Sequence, residues 1–295
     1  NVLPFETLLE SLLRSSKREP ATPARQSMSD GKRKLLALRL KQRSGALQSE
    51  KNLWFPGIET PLEGRTRLFC LPWAGGGALA YRTWKEPLSA VAAVCAVRLP
   101  GRESRATEPA FESMEDLIAA LLDALEPYTA EPYAFFGHSM GAGIAFELTR
   151  ALRGAGMPLP RGLHVSGARA PQMRRGWRPG PEPSLRDFIE ELRRLEGFPP
   201  SVLANPELMR LALPSLLSDA RLYRNYAYNE EGPLATRLFA YGGDADPNVT
   251  AEHMEAWRQQ TTGPFARFEF PGGHFYLESA QNALLTALRA NLTLG

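Results

Sequence analysis

From Arg67 onward the chain alternates between two hydrophobic periods. Short apolar runs bounded by Gly or Pro give six candidate strands: RLFCLP (67–72), VAAVCAVRL (91–99), YAFFG (133–137), GLHVSG (162–167), TRLFAYGG (236–243) and ARFEFPGG (266–273). Runs of this kind suit strands buried on both faces. Between them lie stretches with helical spacing. SMEDLIAALLDALEPY (113–128) opens on Ser113 with Asp116 three residues later, a helix-capping pattern. GAGIAFELTRAL (141–152) follows the third strand directly, and TAEHMEAWRQQ (250–260) and ESAQNALLTALRANL (278–292) occupy the C-terminal part. The alternation predicts an α/β fold, a mostly parallel sheet with helices on both faces.

Two regions break this rhythm. Between about 171 and 234 there is no good strand. A Pro-, Gly- and Arg-rich opening (171–184) leads to a helical stripe of Leu185, Phe188, Ile189, Leu192 and Leu195 behind a capping Ser184. Further helix is expected over 205–228. This reads as an all-helical insertion and a candidate lid over the C-terminal edge of the sheet. The other exception is residues 1–56. Phe5, Leu8, Leu9, Leu12 and Leu13 form one helical stripe, KREPATPARQSMSDG (17–31) reads as linker, and KRKLLALRLKQR (32–43) is a second helical stretch without a clean stripe. The segment 52–64 is expected to lie extended against the body. The chain thus divides into an extension with an amphipathic helix (1–56) and a body (57–295).

Composition narrows the class. The 295 residues are 43% hydrophobic, enough for one large domain with a sizeable core. No run approaches the ~18 apolar residues of a membrane span. The first residues lack a basic start, and Glu6 and Glu10 interrupt their apolar part, so they do not read as a secretory signal. A start at Asn1 rather than Met suggests excision from a longer chain. Residues 1–56 carry eleven Lys/Arg and five Asp/Glu, so the net +3 of the chain is concentrated there. That basic segment reads as a solvated linker, with binding to nucleic acid or to an acidic protein surface as the sharper alternatives. No nucleic-acid motif is present. Cys70 and Cys95 sit inside strand-like runs, as buried free thiols of a reducing compartment would, and no set of residues has metal-ligand spacing.

The chemistry centres on Gly137-His138-Ser139-Met140-Gly141, at the junction of a strand and a helix. In that context Gly-x-Ser-x-Gly reads as a nucleophile elbow, with the serine at a helix N-terminus. A serine needs a base. Of four histidines, His138 is expected to point away at the sharp turn, His164 lies within a strand and His253 in a polar helix. His274 follows the last strand in a Gly-flanked loop, on the serine's edge of a parallel sheet. The loop after the fifth strand offers Asp244 and Asp246 to orient it. Serine, acid and histidine then follow three different strands in the order of an α/β-hydrolase. Two backbone donors are required for the oxyanion. Met140 supplies one, and the glycine-rich loop after the first strand (LPWAGGGALAYRTW) the other. A phosphate loop is the rival reading of those glycines, without a Gly-Lys-Ser/Thr to support it.

These segments, with VRLPGRESR, LHVSGARAPQ, YGGDADPNV, PGGHFYL and the insertion 195–228, resemble the type II thioesterases of non-ribosomal peptide and polyketide assembly lines from about Arg67 to the C-terminus. The resemblance implies an α/β-hydrolase that cleaves acyl, aminoacyl or peptidyl groups from carrier-protein phosphopantetheine, with no cofactor or metal of its own and no nucleic-acid or membrane partner. It implies a cytoplasmic enzyme whose insertion is the lid over an acyl and pantetheine channel. Its Gly-x-x-Asp-x-x-Val pattern fits Gly243, Asp246 and Val249 and so selects Asp246. Its His-Ala-Gly-Gly motif assigns the second oxyanion donor to Ala74, but Trp73 stands where the family has histidine. The implied set is Ser139, Asp246 and His274, with the Met140 and Ala74 amides. Residues 1–56 depart from the stand-alone family pattern and resemble an inter-domain linker. That leaves open a chain-releasing thioesterase domain fused to a synthetase. A general carboxylesterase and a non-catalytic docking module are the other competing readings.

Overall fold

The computed structural model describes residues 53–174, 183–194 and 205–294. The N-terminal stripe and linker, residues 175–182 and Leu195 lie outside these segments. All six predicted strands form: β1 Thr66–Leu71, β2 Ala92–Ala96, β3 Tyr133–His138, β4 Gly162–Ser166, β5 Arg237–Gly243 and β6 Phe265–Phe270. They make one sheet of order β2-β1-β3-β4-β5-β6, with every neighbouring pair parallel. Parallel strands deliver all their C-terminal loops to one edge. The loops beginning at Trp73, Ser139, Gly167, Asp244 and Pro271 therefore emerge together.

Strand side chains alternate between the two faces. Phe69, Leu71, Cys95, Phe135 and Leu238 pack on one side with α1 (Met114–Leu125) and α2 (Met140–Gly154). Leu68, Cys70, Val94, Phe136 and Phe239 pack on the other with residues 78–88 and α6 (Gln281–Leu292). The two cysteines are free, buried and on opposite faces. Burial pushes the Cys95 thiol up to about 12, and the Cys70 thiol also rises.

Capping residues act where the sequence implies. Ser113 Oγ accepts the Asp116 amide at 3.3 Å at the start of α1. Thr250 Oγ1 accepts the His253 amide at the start of α5 (Ala251–Glu255), and His253 Nδ1 accepts the Thr250 amide at 3.0 Å. His253 is thus half-buried in a capping role rather than simply facing solvent.

The described part of the insertion is helical, with α3 Leu185–Arg194 and α4 Pro206–Asn225. Ile189 is buried, and Leu185, Phe188 and Leu192 pack against buried Met209, Leu213 and Leu216 in a small core of their own. One expectation is corrected. Residues 53–60 run through turns rather than extended, because Pro56-Gly57 reverses the chain with Gly57 at φ +84°. Phe55 and Ile58 are thereby driven into the core, Phe55 edge-on to Phe69 at 5.1 Å. No helix among the described residues is long and apolar enough to cross a membrane.

Candidate active site

Ser139 sits between β3 and α2 with φ +54° and ψ −116°. Such a backbone costs a non-glycine residue on the order of 1–3 kcal/mol. Neighbouring atoms explain why the flanks are glycine. A Cβ on Gly137 would fall 2.1 Å from the Gly141 carbonyl oxygen, and one on Gly141 2.3 Å from that of Leu71. The Ser139 amide donates to the Ser166 carbonyl at 2.8 Å, which ties the turn to β4. Met140 opens α2 directly behind the serine, so its N–H belongs to the first turn, which has no acceptor within the helix.

His274 leaves β6 through Gly272-Gly273, and its Nδ1 lies 2.7 Å from Asp246 Oδ2. Both residues are buried. Burial alone would raise the Asp246 pKa. The His274 hydrogen bond and charge, with the Asn248 and Val249 amides, outweigh it and hold the carboxyl below its usual range. Asp246 Oδ1 accepts the Asn248 amide at 2.8 Å, so each carboxylate oxygen has a partner. Asp244 does a different job. It is exposed, and its Oδ1 accepts the Gly272 amide at 3.0 Å, bracing the loop that carries His274.

Ser139, His274 and Ala74 line one cavity of about 470 Å³, bordered by Leu192 of α3 and Tyr223 of α4. Asp246 reaches the cavity only through His274. A serine hydroxyl and an imidazole whose far nitrogen is held by a buried carboxylate are the parts needed for general-base-assisted nucleophilic attack.

Two features escape the reading of the sequence. First, His138 does not point clear of the chemistry. Its ring is fully buried, centred 5.0 Å from the ring of His274, and its Nδ1 is 2.9 Å from Ser166 Oγ, itself 2.5 Å from Tyr276 Oη. Burial, and secondarily the His274 charge, push its pKa well down and keep it neutral. The sharp turn was expected to point its side chain elsewhere, but its place at the end of β3 sets the ring beside that of His274. His164 fares as its strand position implies. It is buried and stacked on Phe239, bonds Tyr241 Oη at 2.9 Å, and burial lowers its pKa to about 3.

Second, the glycine-rich loop is clamped from the insertion. Asp219 of α4 is 2% exposed and accepts two hydrogen bonds from Arg102, at 2.6 and 2.7 Å, and one from the Gly75 amide at 2.8 Å. Arg102 also donates to the Gly76 carbonyl at 2.8 Å. The Arg-bearing loop VRLPGRESR was visible as a motif, but nothing in the sequence paired Arg102 with a residue 117 positions away. The clamp holds the peptide next to Ala74, which is half-buried at the cavity wall.

The family model described as "Thioesterase domain" matches residues 66–292. Gramicidin S biosynthesis protein GrsT of Aneurinibacillus migulanus is 36% identical over 249 residues, covering 83% of this chain and 96% of that protein. Thioesterase PikA5 of Streptomyces venezuelae is 38% identical over 237 residues, covering 78% of this chain and 82% of its own. The solved structure of the type II thioesterase BorB from the borrelidin biosynthetic cluster superposes with a TM-score of 0.73 at 36% identity, covering 81% of this chain and 98% of BorB. The sheet and its helices match the α/β-hydrolase fold of these thioesterase structures.

Proposed function

This chain belongs to the thioesterase family, and from that premise we propose that it hydrolyses acyl, aminoacyl or peptidyl thioesters carried on the phosphopantetheine of carrier proteins. It is a serine-hydrolase-type enzyme akin to the type II thioesterases of peptide and polyketide assembly lines. The observation that carries the finer reading is the shared cavity of Ser139 and His274, with His274 Nδ1 held by Asp246.

In this mechanism Ser139 Oγ attacks the thioester carbonyl while His274 accepts its proton. Asp246 keeps the Nδ1 proton in place and stabilises the imidazolium. The Met140 and Ala74 amides receive the oxyanion. Collapse of the tetrahedral species breaks the C–S bond, and the departing sulfur takes the proton from His274. Water then enters and attacks the acyl carbonyl as His274 removes its proton; the acyl–Oγ bond breaks, and His274 returns that proton to Ser139 Oγ, giving the free acid and the resting enzyme. A thiolate leaves readily, so acid assistance counts for less than with an amide. The helical insertion from about 171 to 234 acts as the lid on this cavity, residues 1–56 are an appended linker, and the setting is the cytoplasm.

The test is intact-mass analysis of a panel of acyl-loaded carrier proteins with the wild-type and Ser139→Ala proteins. The wild type is expected to remove the acyl mass and release the free acid. Unchanged hydrolysis by Ser139→Ala would refute the mechanism. Turnover of free carboxylic esters in preference to acyl-carriers would favour the carboxylesterase reading instead.

A further inference from the structure

Among the described residues, Trp73 alone lines the walls of both of two cavities. On one side lies the 470 Å³ cavity of Ser139 and His274. On the other lies a groove of about 530 Å³, bounded by Gly76 and Gly77, Ala80, and Leu208, Leu211 and Ala212 of α4. Each has the size of a small-molecule site. The indole is buried and lines both. It meets Phe275 at 5.5 Å and His138 at 5.8 Å toward the catalytic side, and Tyr81 at 6.0 Å toward the body. A Cβ on Gly76 would come within 3.0 Å of the indole, so the loop backbone is laid flat against the ring. Leu211, on the groove's wall, is 78% exposed.

Most polar groups of the groove are already engaged, the buried Arg102 Nε being the exception. The other Arg102 nitrogens are spent on Asp219 and Gly76, and Glu103 on Arg98 and the Leu79 amide. What is left for an incoming ligand is chiefly the apolar side chains of Ala80, Leu208, Leu211 and Ala212. That surface suits a hydrocarbon chain and offers little to a polar one.

We infer that Trp73 sets the length of acyl chain this enzyme accepts: the indole ends the catalytic cavity, and its removal joins that cavity to the groove, which then takes the distal methylenes of a long fatty-acyl thioester. This rests on the thioesterase mechanism proposed above. It predicts a change of specificity rather than of chemistry, because neither the nucleophile nor its base contacts the groove.

The experiment compares wild type, Trp73→Ala and Trp73→His on butyryl, octanoyl, dodecanoyl and hexadecanoyl thioesters of one carrier protein, scoring the long-to-short ratio of kcat/KM. A few added methylene contacts should raise that ratio at least about tenfold in Trp73→Ala, and less in Trp73→His, whose ring is smaller than indole but still fills part of the gap. Ala212→Phe added to Trp73→Ala blocks the groove from α4 and should reverse the gain. Cooperative thermal melting certifies folding. If Trp73→Ala fails it, Trp73→His with and without Ala212→Phe carries the same comparison. A ratio within about twofold of wild type in a folded variant overturns the inference, and so does a gain that Ala212→Phe leaves intact. Wild type that hydrolyses none of the thioesters overturns the parent mechanism and this inference with it. Turnover with an unmoved chain-length profile overturns this inference alone.

Discussion

Replacing Asp219 by alanine should damage both stability and rate, and by different routes. Asp219 and Arg102 are 2% and 6% exposed, and the carboxylate accepts three hydrogen bonds, two from Arg102 and one from the Gly75 amide. Removing it strands a buried guanidinium with the Gly76 carbonyl as its remaining oxygen partner. Breaking one side of a buried pair costs about 3–5 kcal/mol. For a domain of this size that lowers Tm by on the order of 10 °C. The double variant Arg102→Met/Asp219→Leu leaves no orphan charge and should lie closer to wild type than Asp219→Ala alone. The rate effect follows from the Gly75 amide. Losing its acceptor frees the peptide beside Ala74, and a displaced oxyanion donor should cut kcat between about 10- and 100-fold with a smaller change in KM. Thermal melts and thioester kinetics at a temperature well below the variant's Tm separate the two effects. A Tm shift under about 3 °C for Asp219→Ala, or a double variant no closer to wild type than Asp219→Ala, would refute the electrostatic argument. An intact kcat in the folded variant would refute the coupling to the oxyanion loop.

Ser139→Ala should lower thioester turnover by at least about 10³-fold while leaving the thermal melt cooperative, checked by the intact-mass assay. Asp246→Asn should keep its contact with His274 but present the wrong hydrogen-bonding face, lowering kcat by about 10⁴-fold; a loss under tenfold would remove Asp246 from the mechanism. Stability should fall with acidification in two stages, measured by urea unfolding from pH 7 to 3. The folded state holds His138 and His164 neutral, so below their ordinary value of about 6.5 the unfolded chain binds protons that the native one refuses. His164 alone contributes about 1.4 kcal/mol per pH unit down to about pH 3, and His164→Phe should flatten the slope by that amount. The depressed Asp246 carboxyl stabilises the fold above the usual carboxylate range and adds its own loss only below about pH 3.9.

The strands, Ser139 and His274 were legible because each rests on local information, whereas the acid was chosen only through the family resemblance. A buried parallel strand must be an uninterrupted apolar run, and YAFFGHSMG carries both such a run and the two small flanks that the elbow requires. Parallel topology then delivers Ser139 and His274 to one edge without knowledge of any long-range contact. Asp244 and Asp246 could not be separated by spacing, since both follow β5 by a few residues. Their difference is one of direction, Asp246 inward to His274 and Asp244 outward to Gly272. Arg102–Asp219 and His138–Ser166–Tyr276 were invisible for a related reason. Each joins residues brought together by tertiary packing, with no periodicity linking them. The turn at Pro56-Gly57 was legible in principle, because a Pro-Gly pair punctuates a chain whatever its hydrophobicity.

Cys70 and Cys95 lie on neighbouring strands, yet Cys70 is opposite Ala96 and Cys95 opposite Phe69. That one-residue offset puts the sheet itself between the two sulfurs, so an internal disulfide cannot form while β1 and β2 remain paired. Each thiol samples a different core, Cys95 on the edge strand β2 and Cys70 on β1 inside the sheet. The protein thus carries two native reporters of opening, one at the edge of the sheet and one within it. A thiol-reactive dye added to the folded enzyme reads how often the sheet comes apart, one cysteine for each of its faces, with no label engineered into the chain.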